Sequence, residues 1–354
     1  LVATLLGTST QGCISRLAGL TSGGRTLRSI ADAIPLVRLG LSERGPQVCT
    51  VHDLALTAVA EGAMVDELGP LGERAWNSAL SELESIGDYS RLAQILLARG
   101  DEAGIATFVE RCGAQMVLAG KLDALRAMID AVSIEKRLQY PRLLLVMANM
   151  LRHSDRLDEA IDEARVASDL CLHYGATNDY LEALLLLGRM YIDKGMSREA
   201  LAALQGVSRY EQSASSDVIV LYHGLCANAE VGTGHRARAE THLVAMESRL
   251  DDKAVSADVR AQCLNWLAFM NAYVIGDMER ASAFLNRLVA IRGLPLASRL
   301  QAQGNLGTLQ AEMGRVTSAV GSLHKTVSEC RECGLVALAH EYEGSLAMAH
   351  AASG

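Results

Sequence analysis

The sequence predicts an all-α chain of stacked helix pairs winding into a right-handed superhelix, preceded by a small module that carries a short β-hairpin. Three observations predict it. Only 5 of 354 residues are proline and only 14 are aromatic, while half are hydrophobic. Prolines at about 1.4%, against a norm of roughly 5%, suit long helices and disfavour the turn-rich β-sandwich or barrel. From residue 66 onward, apolar residues recur at helical spacing through about fifteen segments of roughly 10–20 residues. A third signal is one turn that returns six times.

In chain order, residues 1–65 differ from the rest. Residues 27–33 read as a short helix, and 34–39 and 48–51 as strands joined by Ser42-Glu43-Arg44-Gly45-Pro46. Together they suggest the C-terminal part of a winged-helix module. Residues 66–135 read as a helical junction and 136–354 as the repeat array. Segment 157–171 shows the logic: Leu157, Ala160, Ile161, Ala164, Ala167 and Cys171 share one helical face, away from Asp158, Asp162, Glu163 and Arg165. The recurring turn stands at Gly120-Lys121, Asp155-Arg156, Gly195-Met196, Gly234-His235, Gly276-Asp277 and Gly314-Arg315. The steps are 35, 40, 39, 42 and 38 residues, a spacing proper to helix-pair solenoids.

The clearest single repeat is 184–207. Gly188 and Ala200 are small where paired helices must approach, Tyr191 and Leu204 are large where the next layer needs filling, and Gly195 permits a left-handed turn. Ala148, Ala227 and Gly307 stand in the slot of Gly188. This pattern resembles the tetratricopeptide repeat in residue type and spacing. Such a pair cannot bury its own apolar face, so stacking follows.

The order of parts is similar to the middle of the MalT-like regulators, large LuxR-type signal-transduction ATPases. The stretch IPLVRLGLSERGPQVCTVHDLALTAV (34–59) resembles that family's wing hairpin and the helix start after it. Residues 73–132, with turns at Arg99-Gly100-Asp101 and Gly120-Lys121-Leu122, resemble its junction, and YPRLLLVMANMLRHSDRLDEAI (140–161) the start of its array. The aromatic residues usual before the histidine are replaced by Val48, Cys49 and Val51. The resemblance implies a parent protein with a P-loop ATPase domain on one side and a DNA-binding helix-turn-helix on the other. It implies ATP or ADP with Mg in that parent, none of it bound by this segment alone. It also implies that His52, in Val51-His52-Asp53-Leu54, reaches the ADP phosphate, since an imidazole N–H donates to phosphate; Asp53 would cap the following helix. A helix-start histidine facing solvent is the plainer reading of the same residue. The expected partners are an inducer, small molecule or protein, in the superhelix groove, the adjacent ATPase domain, and further copies of the chain.

Composition limits the remaining choices. The net charge is −8, but the first fifty residues carry five arginines against Asp32 and Glu43. The surface as a whole is therefore no nucleic-acid footprint, and DNA would be reached only through a helix-turn-helix outside this sequence. Eight scattered cysteines predict a reducing cytoplasm. The strongest apolar run, 181–187 with Glu182 inside, is too short to span a bilayer.

No residues are assigned to catalysis or to a metal. Gly19–Thr26 mimics a phosphate loop but lacks the preceding strand. Cys330 and Cys333 form a lone CxxC within helical sequence. His223, Cys226, His235 and His242 lack a recognised ligand spacing and read as packing. Trp76, Trp266 and methionines such as Met128, Met147, Met150, Met190 and Met270 read as core or groove lining. Function therefore reads as signal sensing and autoinhibition in a MalT-like regulator, with a stand-alone tetratricopeptide-type adaptor as the alternative.

Overall fold

The computed structural model describes residues 8–10, 37–41, 47–51, 70–154, 156–294, 296–332 and 336–352. The chain divides into two compact units, Leu1–Gly175 and Ala176–Gly354.

Among its described residues the first unit holds three strands, β1 (Thr8–Thr10), β2 (Val37–Leu41) and β3 (Gln47–Val51), in an antiparallel sheet of order β1-β3-β2. Val37 faces Val51 across one pair and Thr8 faces Thr50 across the other. β2 runs two residues beyond the strand expected at 34–39, and β1 was not anticipated. This sheet does not by itself make a winged helix. The helix expected at 27–33, the turn at 42–46, the phosphate-loop mimic at 19–26 and His52 all lie outside the described residues.

Seven described helices follow: α1 (Pro70–Ser85), α2 (Tyr89–Arg99), α3 (Glu102–Leu118), α4 (Leu122–Asp130), α5 (Ile134–Arg137), α6 (Pro141–His153) and α7 (Leu157–His173). Asp88 and Asp101 cap α2 and α3 by accepting from the amides of Arg91 and Ala103, which satisfies donors that a helix start leaves open. Trp76 is buried in the core as expected, with the Arg99 guanidinium 4.9 Å above its ring. On α7 the predicted stripe is the buried one: Ala160, Ile161, Ala164, Ala167 and Cys171 are all buried.

The second unit holds α8 (Thr177–Asp193), α9 (Ser197–Ser208), α10 (Ser216–Gly232), α11 (Arg236–Arg249), α12 (Ala257–Met270), a π-helical turn (Asn271–Ile275), α13 (Met278–Val289), α14 (Leu296–Glu312), α15 (Val316–Glu332) and α16 (Val336–Ala352). Successive helices pair as α8 with α9, α10 with α11, α12 with α13 and α14 with α15. These are tetratricopeptide-like helix pairs. Gly195, Gly234, Gly276 and Gly314 all adopt positive φ, between 74° and 87°, the conformation that the recurring turn predicted. A Cβ on Gly188 would lie 2.8 Å from Leu204, and one on Gly307 the same distance from Leu323. The two glycines, read from sequence as equivalent, are thus pressed against equivalent leucines.

The second helices carry a ladder of ion pairs. Glu211 pairs with Arg249, Glu247 with Arg280, Asp251 with Arg287 and Glu279 with Arg315. In each rung the acid precedes the arginine by most of a repeat. The rungs are exposed or half-exposed, so each contributes no more than about 1 kcal/mol.

Candidate functional site

Within the second unit, the apolar core is interrupted. One cluster runs from Val220 on α10 to Leu309 on α14, and a separate one joins Leu323 and Val327 on α15 to Tyr342 and Ala349 on α16. The first helices of consecutive pairs pack directly in the cases of α8 with α10, α10 with α12, and α14 with α16, whereas α14 packs chiefly on α13 and its backbone stands off from α12. Between them opens a cavity of about 280 Å³.

The π-turn shapes one wall. There the amides of Gly276 and Asp277 both donate to the Asn271 carbonyl, at 2.8 Å. The Asn271 side chain is buried and donates from Nδ2 to the Leu267 carbonyl at 2.7 Å. Such wide turns often sit at functional positions. Phe269, in the last turn of α12, and Tyr273, in the π-turn, lie in ring contact with centroids 5.0 Å apart and planes tilted by 49°. They nevertheless stay 56% and 54% exposed. Exposed aromatics at a cavity rim are costly surface to leave uncovered.

Polar groups bridge α12, α14 and α16 across the cavity, beside the apolar cluster that reaches α14 at Ala302 and Leu309. The Tyr342 hydroxyl donates to Asn305 Oδ1 at 2.8 Å and lies 2.9 Å from the Gln301 carbonyl, so its one proton serves both. Asn305 Nδ2 donates to Asn265 Oδ1 at 2.9 Å. The relay therefore runs Tyr342 to Asn305 to Asn265 and ends in the Asn265 Nδ2 amide, which meets no further acceptor among the described residues. A second bridge runs from the Tyr273 hydroxyl to both carboxylate oxygens of Glu312, 3.0 Å each. Burial, with the Glu312 carboxylate beside it, pushes the Tyr273 phenol up to about 12, so it remains a donor near neutral pH. Glu341 and Ser345 of α16 complete the lining, which contains no Lys, Arg or His among the described residues.

The sequence-predicted candidates lie elsewhere. His223 and His242 face each other, Nδ1 to Nδ1 at 3.0 Å, with the Tyr222 ring against both. His235 instead meets the buried carboxylate of Glu230 at 3.0 Å, and Cys226 is buried packing, its thiol pushed up to about 12 by desolvation. The four thus divide between two separate contacts. Among the described residues, no group of three or more side chains could hold a metal ion. Cys330 is buried, and Cys333 lies outside the described residues. Met128, Met150, Met190 and Met270 are buried in the core as expected. Trp266 is half-buried with the Arg189 guanidinium 5.1 Å over its ring. In the first unit, an open groove beside α1 and α3 has its arginines already paired, Arg99 with Glu73 and Arg111 with Glu84. No described helix is long and apolar enough to cross a membrane.

Sequence reading missed Asn265, Phe269, Tyr273, Asn305, Glu341 and Tyr342. One signal could have led to them. The longest of the five steps, 42 residues from Gly234 to Gly276, ends on the π-turn.

Known structures supply the comparison. No protein-family model matches the chain, and no curated protein matches it. Over 98% of its length the chain resembles the crystal structure of a Signal Transduction ATPase with Numerous Domains (STAND) protein with a tetratricopeptide repeat sensor from Pyrococcus horikoshii, with a TM-score of 0.64 and 12% identity. The chain spans about half of that protein, 53% of its length. A thermophilic tetratricopeptide protein of Thermus thermophilus aligns with 58% of this chain and 98% of its own, at 20% identity and a TM-score of 0.43. NprR in complex with its cognate peptide NprX aligns with 84% of this chain and 81% of its own, at 11% identity and a TM-score of 0.45. At these identities the likeness is one of fold: tetratricopeptide-like helical repeats.

Proposed function

We propose that this chain is the ligand-sensing repeat region of a larger signal-transduction ATPase of the MalT-like, LuxR-type kind, and that it receives its inducer in the cleft between α12 and α14. The observation that carries this reading is the polar bridging of that cleft. Each bridging hydrogen bond contributes about 0.5–1.5 kcal/mol net, and α12 meets α14 chiefly through these bonds and through α13. A ligand that touches both helices can therefore exchange these bonds for its own and change their relative arrangement. The half-length match to a STAND protein with a repeat sensor supports the same placement in a longer chain. Binding, and no chemistry, is the task of this segment.

Hydrogen exchange on the full chain tests the cleft. Amides of α12, the π-turn and α14 should exchange faster than those of α8 and α10. A pool of random hexapeptides should slow them, and Asn305→Ala should abolish that protection. Unchanged exchange with the pool, in wild type and variant alike, would count against a peptide-sensing cleft.

The regulator reading makes a separate prediction at His52, assigned by resemblance to the ADP phosphate. In the parent protein, His52→Ala should speed ADP release severalfold, as loss of a charge-assisted hydrogen bond does, and raise basal output. An unchanged ADP off-rate together with unchanged output would remove His52 from the nucleotide switch. Coding sequence without a P-loop upstream would favour the adaptor.

A further inference from the structure

We propose that the α12–α14 cleft selects a cationic side chain, lysine or arginine, presented by an extended peptide segment. The inference rests on the reading of that cleft as the ligand site and adds the chemistry of its occupant.

Charge complementarity carries it. Glu341 lines the cavity and Glu312 stands at its rim, held by Tyr273, with no cationic lining residue among those described. Arginines of the neighbouring second helices, Arg280, Arg287 and Arg315, are engaged in the ion-pair ladder. Phe269 and Tyr273 offer exposed aromatic rings, in contact and tilted to each other, at the same rim. Aromatic faces beside a carboxylate attract a cation twice over, through the ring quadrupole and through direct Coulomb attraction.

Size and polarity agree. A cavity of about 280 Å³ lies at the lower edge of the range for small-ligand sites and suits one long side chain. The relay from Tyr342 through Asn305 leaves the Asn265 Nδ2 amide as a donor, which is what a peptide carbonyl requires. An anionic ligand would be repelled by the carboxylates of Glu341 and Glu312, and a neutral one would gain nothing from their charge.

The test uses fluorescein-labelled hexapeptide pools, random except for one fixed position carrying lysine, acetyl-lysine or glutamate. Anisotropy is read on the full chain. The lysine pool should bind about tenfold more tightly than the acetyl-lysine pool, and the gap should narrow with added salt. Glu341→Gln, a change at an exposed position that folding tolerates, should erase most of that gap while leaving the acetyl-lysine pool unchanged. Equal binding of the lysine and acetyl-lysine pools, both abolished by Asn305→Ala, would overturn charge selection and leave the cleft as a peptide site. Preference for glutamate would overturn it equally. No binding by any pool, or binding indifferent to Asn305→Ala, would overturn both this inference and the cleft reading.

Discussion

Tyr342→Ala should lower the stability of the second unit by about 3–5 kcal/mol, the usual cost of deleting a large buried aromatic. The ring is 1% exposed and belongs to the apolar cluster of α15 and α16. It also lies flat against α14 at Gly304, where a Cβ would come within 2.3 Å of its carbons. Backbone and ring are thus in contact with no side chain between them. Tyr342→Phe separates the two roles of the residue. It keeps the packing and removes the donor that begins the relay to Asn305 and Asn265, at a cost of about 1 kcal/mol. Urea denaturation followed by circular dichroism distinguishes them. Because the repeats are quasi-one-dimensional, the Ala variant should show a separate early transition for its last helices. A loss below about 1 kcal/mol for Tyr342→Ala would mean that this ring does not hold α14 and α16 together.

Acid should destabilise the same unit through His223. Burial, with His242 close by, pushes the His223 imidazole down from its usual 6.5 to about 4. Arg249 acts in the same direction, and Glu211, 4.0 Å from Nε2, opposes it. Burial also lowers His242, against Glu230 and Glu211. The short contact between the two Nδ1 atoms requires that one donate and the other accept, which excludes protonating both rings, and burial disfavours protonating either. Unfolded, His223 takes up its proton as pH falls through about 6.5. Between that pH and about 4 the unfolded chain binds more protons than the folded one, and stability falls as pH falls. At about 1.4 kcal/mol per pH unit the loss from this residue reaches roughly 3 kcal/mol by pH 4 and then levels off. His223→Gln keeps the polar side chain and cannot titrate. From pH 7.5 to 4.5 the wild type should therefore lose about 2–3 kcal/mol more than the variant, carboxylate contributions cancelling in the difference. Equal losses would show that the pair is not held neutral.

Much of this architecture could be read from the residues. Gly195, Gly234, Gly276 and Gly314 announce their turns because a left-handed backbone excludes most other residues, and Gly188 and Gly307 announce helix contacts because nothing larger fits. The stripe on α7 follows from period alone. The cleft was not legible for an equally physical reason. Asn265 and Asn305 occupy half-buried positions that read like any solvated polar residue, and their pairing depends on how two helices forty residues apart in sequence come together. Phe269 and Tyr273 have the spacing of core residues, yet both stand more than half exposed, one just before the π-turn and one within it. The histidines illustrate the converse. His223, His235 and His242 look like one cluster in sequence, yet His235, in the turn before α11, meets Glu230, while His242, within α11, faces His223.

The arginine ladder has a mechanical consequence. Its rungs tie neighbouring second helices through exposed, charged hydrogen bonds, whereas the relay through Asn305 joins neutral groups. A stack joined in this way behaves as a spring with one ionic tendon. The range of charge attraction in solution shrinks from about 30 Å at 0.01 M salt to about 3 Å at 1 M. Added salt therefore loosens the tendon while the apolar layers keep their strength, and the stack becomes more compliant without unfolding.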